Sequence, residues 1–410
     1  MHNGGVAYAN TETNIVIDRS GMTNNSATNG GVSYIESNGN IVINRSEITS
    51  NKATENGGVS YIESNGNIVI NQSEITSNKA TENGGVSYIM SSGDIVIDQS
   101  DMTSNGANLG GVVYAENSGN IAIIGSHMVQ NSAQSGGVVY SGNCGNITIT
   151  NSSMVNNTAK RGGVAYIHEI GNIVIDRSNM TSNTANSRGG VAYIQQNGSI
   201  VIDQSNMTSN TAEQNGGVAY ANTETNIVID RSGMTNNSAT NGGVSYIESN
   251  GNIVINRSEI TSNKATENGG VSYIESNGNI VINQSEITSN KATENGGVSY
   301  IMSSGDIVID QSDMTSNGAN RGGVSYIDTN GDIVIDRSYM IGNNATNRGG
   351  VSYIDTNGDI VIDRSYMIGN NATNRGGVAC SNSDGDIVIN RSNMTNNTAG
   401  NVRAKCVFPC

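Results

Sequence analysis

One stretch, GGVSYIESNGNIVINQSEITSNKATEN at residues 57–83, is restated from residue 3 to about residue 399. Its Gly-Gly pair opens at Gly4, Gly30, Gly57, Gly84, Gly110, Gly136, Gly162, Gly189, Gly216, Gly242, Gly269, Gly296, Gly322, Gly349 and Gly376. Fifteen repeats of about 26–27 residues thus run head to tail, and a fixed period of that size is the mark of a repeat architecture. It restricts the chain to a solenoid, in which each repeat buries its apolar face against the next.

Alignment of the repeats separates what must stack from what is free to vary. The interval from the first Gly to the first Ile of the IVI run, and onward to the Ala at Ala27 or Ala80, is constant, and all length variation falls between that Ala and the next Gly-Gly. A ladder cannot absorb an extra residue without turning its side chains to the other face, whereas a surface loop can. The 27th residue therefore belongs to a connector. Val6, Ile15, Ile17, Ser20, Asn25 and Ala27 recur unchanged in every repeat, the Met22 position holds only Met or Ile, and the residue between the two Ile varies. Alternation of fixed apolar and variable residues is the pattern of a strand with one buried face.

Three short extended segments per repeat follow: GGVxYI, NIVIDRS and SxMTxN. None has helical spacing, and Gly, Asn and Ser lie between them. The fold expected is all-β, a right-handed parallel β-helix (solenoid) of about 15 coils of about 26–27 residues with three short strands per coil, the handedness coming from the family resemblance described below. At roughly 4.8 Å per coil the array reaches about 70 Å. Each position then stacks on its own copy. Gly57, Gly58, Val59, Ile68, Ile70, Ser73, Asn78 and Ala80 are the structural positions of one coil. The Asn row is expected to hydrogen-bond along the axis, and the Gly pair to mark a positive-φ corner or a close approach of coils. Residues 1–399 are read as a single repeat domain, and residues 400–410 as a cap or the start of a further region.

The pairing of GGV[ASV]Y, as at Gly30-Gly31-Val32, with an [MI]xxN element about eighteen residues later, as from Met102 to Asn105, resembles the GGAI and FxxN repeats of chlamydial-type polymorphic outer membrane proteins. Met or Ile stands where that family has Phe. The resemblance covers nearly the whole chain. It implies a right-handed β-helix displayed at a cell surface or secreted, with an adhesin-like role, and the localisation expected is accordingly extracellular.

Composition narrows the partners. Of 410 residues only 13% are charged and 4% aromatic, the formal net charge is −15, and Pro occurs once, at Pro409. No basic stripe is available to neutralise phosphates, so no nucleic-acid partner is expected. No apolar run approaches the length that a membrane-crossing helix needs, so no direct membrane span is expected. Residues 3–108 recur unchanged as 215–320, so the chain opens on what is elsewhere an internal coil, and it is read as a piece of a longer surface protein. Open strand edges on the first coil would permit end-to-end self-association.

The function expected is a non-catalytic repeat scaffold that binds a host surface, glycan or matrix through outward rows, with Glu47, Thr49, Lys52, Thr76, Lys79, Thr261 and Thr288 as the candidate ladder. The alternative is a β-helix polysaccharide lyase or hydrolase, or a glycan-binding module, which the same fold hosts. No catalytic residue, cofactor site or metal site is assigned. Asp94, Asp306, Asp332, Asp359 and Asp386, with Asp98, Asp310, Asp336 and Asp363, offer oxygen ligands for a calcium row, but solvated turn carboxylates explain them as well. The Tyr8, Tyr34, Tyr61 series is a buried stack if Val and Tyr share the inner face, and an exposed ladder if the Ala/Ser position faces in; the invariance of Val favours burial. Repeats from 110 to 214 are the least regular, with His127, His168 and Cys144 at variable positions, and any special site is expected there. Repeats 322–348 and 349–375 are identical copies, read as added length without added chemistry. Cys380, Cys406 and Cys410 fall at the break of pattern, and their spacing assigns neither a metal nor a disulfide set.

Overall fold

The structure, a computed structural model, describes residues 2–117, 119–143, 145–382 and 384–400. Cys144, Cys406, Cys410 and all of 401–410 therefore lie outside the described residues, as does most of the expected C-terminal cap. The chain divides into two compact bodies, Met1–Ser205 and Asn206–Cys410, each a parallel β-solenoid.

In the first body one full coil runs through strands Ser60–Ile62, Ile68–Asn71 and Glu74–Thr76, and Lys79–Ala80 adds a short fourth. Each pairs in parallel with its own copy one coil back: Tyr61 with Tyr34, Ile68 with Ile41, Thr76 with Thr49, Lys79 with Lys52. The second body repeats the arrangement, with Tyr273 opposite Tyr246, Ile280 opposite Ile253, Thr288 opposite Thr261 and Lys291 opposite Lys264. Register is held because any slip would carry the two Ile of IVI from the core to solvent. Ile68 and Ile70 are fully buried while Val69 between them is partly exposed, as the alternation requires.

Three of the corners in each coil use one left-handed residue apiece. Gly57 (φ 62°) turns the first, Gln72 (φ 48°) the second and Ser77 (φ 58°) the third. Of these three, only the first demands glycine. A Cβ on Gly57 would lie 2.4 Å from the Ser60 carbonyl oxygen, and one on Gly58 would lie 2.1 Å from that of Gly85 in the next coil. Positive φ and close approach thus operate together, one at each Gly. The other two corners hold side-chain-bearing residues at a cost of roughly 1–2 kcal/mol each, which the rungs beside them offset.

Those rungs explain the invariant polar residues. Asn51 donates its backbone N–H and its Nδ2 to Asn78 Oδ1 at 2.8 and 3.0 Å, and Asn78 does the same to Asn105 at 2.9 and 3.1 Å. Nδ2 of Asn78 also donates to the Ile48 carbonyl at 2.9 Å, so a fully buried amide has all its groups engaged. At the neighbouring corner the Ser46 hydroxyl donates to the Asn44 carbonyl at 2.7 Å and accepts the Ser20 N–H at 3.2 Å.

Three expectations need correction. The first strand of the coil buries both faces: Val32, Ser33, Tyr34 and Ile35 are all at most 4% exposed, so the Val face and the Ser face are not alternatives. In the first coil Val6 and Tyr8 are half exposed, because among the described residues only one neighbouring coil covers them. The Ala27-type row is buried at Ala53, Ala80, Ala159 and Ala185, yet Ala107 and Ala133 are partly exposed. These two sit in consecutive repeats of the shorter kind, where the fourth strand is reduced to isolated bridges at Gly106, Leu109, Ser132 and Ser135.

Candidate functional site

Alternation on the third strand turns Ile48 and Ile75 into the core and leaves Glu47 and Glu74 exposed, with Thr49 and Thr76 half-buried. After the Asn corner, Lys52 and Lys79 stand exposed while Ala53 and Ala80 turn in. The second body presents the same face, with Thr261 and Thr288 half-buried between exposed Glu259 and Glu286 and exposed Lys264 and Lys291. An acidic row, a hydroxyl row and a basic row therefore run in register over adjacent coils. None of the ion pairs among the described residues involves these Lys or Glu side chains, which leaves both charges available to a partner. Within each body these residues lie on adjacent coils of one face.

Six of the carboxylates considered for calcium have other partners. Arg337 bridges Asp310 and Asp336 at 2.7 and 3.1 Å, Arg364 bridges Asp336 and Asp363 at 2.6 and 3.0 Å, and Arg391 reaches Asp363 at 2.7 Å. Asp306, Asp332 and Asp359 each accept the backbone N–H of the residue one coil on, at 2.9, 2.8 and 2.7 Å. Each of these six carboxylates is thus engaged by a guanidinium or a peptide N–H, and no group of three or more metal-binding side chains occurs among the described residues.

The Tyr row is a face-to-face stack. Centroids of Tyr34, Tyr61 and Tyr88 lie 4.9 and 4.8 Å apart with planes within 6° of parallel. Both faces of the Tyr34, Tyr61 and Tyr88 rings are covered by neighbouring rings, and the hydroxyl edge meets polar groups. Tyr88 donates to Glu116 at 2.6 Å, Tyr34 to Glu63 and Tyr246 to Glu275, whereas Tyr61 meets the Met90 sulfur at 3.7 Å. Burial pushes the phenols up, and the adjacent carboxylates push them further; Tyr114 is raised to about 12.

Shallow grooves follow the Ala row. The one over the irregular repeats, about 530 Å³, is lined by Ala107, Ser132, Ala133, Gln134, Lys160 and Asn186 among others. Smaller ones of about 340 and 270 Å³ occupy the same phase beside Ala319 and Ala27, again in repeats of the shorter kind. A fourth, of about 380 Å³, lies beside Arg45, Gln72 and Asp98. His127 is exposed on the third strand and is not among the residues of these grooves; His168 packs by the Tyr166 hydroxyl and Gln195.

Sequence reasoning passed over one pair. Tyr339 and Tyr366 take the exposed Glu position in the two identical repeats, are 43% and 41% exposed, and stack at 4.8 Å with planes 4° apart. Tyr at the same outward position of two successive repeats was the available signal. Treating the copies as length alone hid it. Cys380, at the Tyr position, is buried and disulfide-bonded. No family model matches the chain, and no curated protein matches it.

Proposed function

We propose that this chain is a non-catalytic, adhesin-like repeat scaffold that works outside the cell or at its surface and holds a repetitive partner such as a glycan or matrix. The observation that carries this reading is the register of the Glu47, Thr49 and Lys52 rows with Glu74, Thr76 and Lys79, with no internal ion pair among the described residues consuming the charges. Contacts of that kind are individually weak at a surface. Repeated at one-coil spacing, they sum to useful avidity for a partner with many sites. The resemblance to polymorphic outer membrane protein repeats supports a surface location, as does the disulfide of Cys380, since disulfides persist in oxidising compartments. For the hydrolase alternative, two carboxylates must flank the scissile bond, and none of the four grooves described above brings two together.

The test is a series of chains lacking one, two or three whole repeats from residues 30–109, assayed on immobilised host-cell surfaces and glycans. Affinity should fall in steps with repeat number. Unchanged binding after loss of all three would remove the multivalent reading, and complete loss with one particular repeat would put a single discrete site in its place.

A further inference from the structure

The repeats that carry Tyr339 and Tyr366 interrupt both charged rows. Along the third strand the exposed position reads Glu259, Glu286, Asp313 and then Tyr339, Tyr366, Asn393. Along the fourth it reads Lys264, Lys291 and then Gly318, Asn344, Asn371. The basic row ends at Gly318, one coil before the acidic row gives way to Tyr339, and over the next two coils aromatic and amide groups take the place of both charges. The nearest cations, Arg337 and Arg364, are each held between two Asp carboxylates.

The patch is also apolar and open. Ile341, 38% exposed, and Ile368, half-buried, stand two residues beyond the tyrosines where Thr288 and Thr315 stand in earlier coils. The corner residue that follows is Gly342 and Gly369 in place of Ser289 and Ser316. A Cβ on Gly342 would meet only the Ser316 hydroxyl, at 3.9 Å, and one on Gly369 would meet nothing within 4 Å. The corner conformation is the same with Ser, at φ 56–59°, so glycine is not required there for sterics; what it does is clear the surface beside the rings. The outer ring faces look toward the short side chains of Asp313 and Asn393. Asn371 donates to Asn344 at 2.8 Å, which leaves the exposed Asn344 amide N–H groups without an acceptor among the described residues.

We propose that Tyr339, Tyr366, Ile341 and Ile368 form a platform for a non-ionic saccharide, with the Tyr hydroxyls and the Asn344 amide as its hydrogen-bonding rim. The proposal rests on the reading of the chain as a binding scaffold and adds to it one discrete subsite of defined chemistry. A sugar ring presents an apolar C–H face that suits an aromatic and aliphatic floor, and hydroxyls that suit amide and phenol partners. An anionic ligand would find Arg337 and Arg364 each already held between two Asp carboxylates. The mutual stack holds both rings in place before the ligand arrives, so little side-chain entropy is lost on binding.

The full chain is titrated calorimetrically with neutral hexasaccharides (β-1,4-glucan, N-acetylglucosamine, mannan and galactan series) and with an acidic galacturonate hexamer as the charged comparison. The decisive variant is Y339N/Y366N, because the repeat already carries Asn at this position in Asn179, Asn206 and Asn393. Binding of at least one neutral oligomer, weakened about tenfold or more in Y339N/Y366N and by less in Y339F/Y366F, which keeps the rings and loses only the hydroxyls, supports the platform; tenfold is the effect of truncating one modest aromatic contact. Three outcomes overturn it: no neutral oligomer binds, the Asn variant binds as well as the parent, or the Asn variant instead abolishes a concentration-dependent dimer, which would make the patch a self-interface. Removal of repeats from 30–109 leaves these residues intact, so the multivalent reading and the platform fail in separate experiments.

Discussion

Single residues in this chain carry their reasons on one of two levels, the corner or the rung. The Ser column of the first strand shows where the two part. Ser33 and Ser60 share a hydroxyl contact at 3.1 Å, as do Ser245 and Ser272, but the hydroxyls of Ser87, Ser299, Ser325 and Ser352 are buried without any partner among the described residues. Val113, Val139, Ala165 and Ala192 fill the same position elsewhere. An unpaired buried hydroxyl costs about 1–3 kcal/mol, so Ser325→Ala should stabilise the second body by about 1 kcal/mol, read as slower amide exchange in residues 322–327. Faster exchange would show that the hydroxyl has a partner in solution. The invariant Ser of the second corner differs, because its hydroxyl closes a turn and accepts from the preceding coil.

Among the elements, the Tyr stack responds to pH through burial. The phenols titrate above their ordinary value of 10 in the folded chain and at that value when unfolded. A raised folded pKa means that the stabilising contribution is complete below pH 10 and is lost as pH rises beyond it. Alkaline unfolding should therefore begin above about pH 10 and coincide with the rise of phenolate absorbance. Ionisation of most tyrosines while circular dichroism stays native would contradict the burial. The stack also marks how far sequence carries. Ile68 and Ile70 were legible as core because alternation is local to a few residues. Tyr burial was favoured on Val invariance, yet both faces of the strand are covered, and a ring such as Tyr61 is enclosed by copies of itself one coil away. Ala107 and Ala133 escaped notice because their exposure arises where short connectors occur in successive repeats. Of the D-I-V-I-D carboxylates, Asp310, Asp336 and Asp363 are held by Arg337, Arg364 and Arg391 one coil on, contacts that no single repeat displays.

On the scale of the whole molecule, stability should scale with repeat number, because each coil contacts only its neighbours. Deleting residues 57–83 joins Asn56 to Gly84 and restores an Asn-Gly-Gly connector, so every ladder closes in register. The far-UV spectrum per residue should be unchanged and the denaturant m-value should fall in proportion to the surface removed. Deleting Val69 alone, from within an IVI strand, should unfold the adjoining coils, because the register slips and one Ile is turned out of the core. A native spectrum there would mean that register is not what holds the stack. One last consequence comes from the Asn rungs. Asn51 donates toward Asn78, Asn78 toward Asn105, Asn263 toward Asn290 and Asn290 toward Asn317, always toward the later coil. Their amide dipoles add along the axis, whereas neighbouring backbone N–H groups such as Val59 and Lys79 point opposite ways and cancel. The outer Asn row runs the other way, Asn83 donating to Asn56 and Asn56 to Asn29, so each solenoid body has its direction written at two depths, and a polymer laid along it meets a surface on which its two directions of travel are not equivalent.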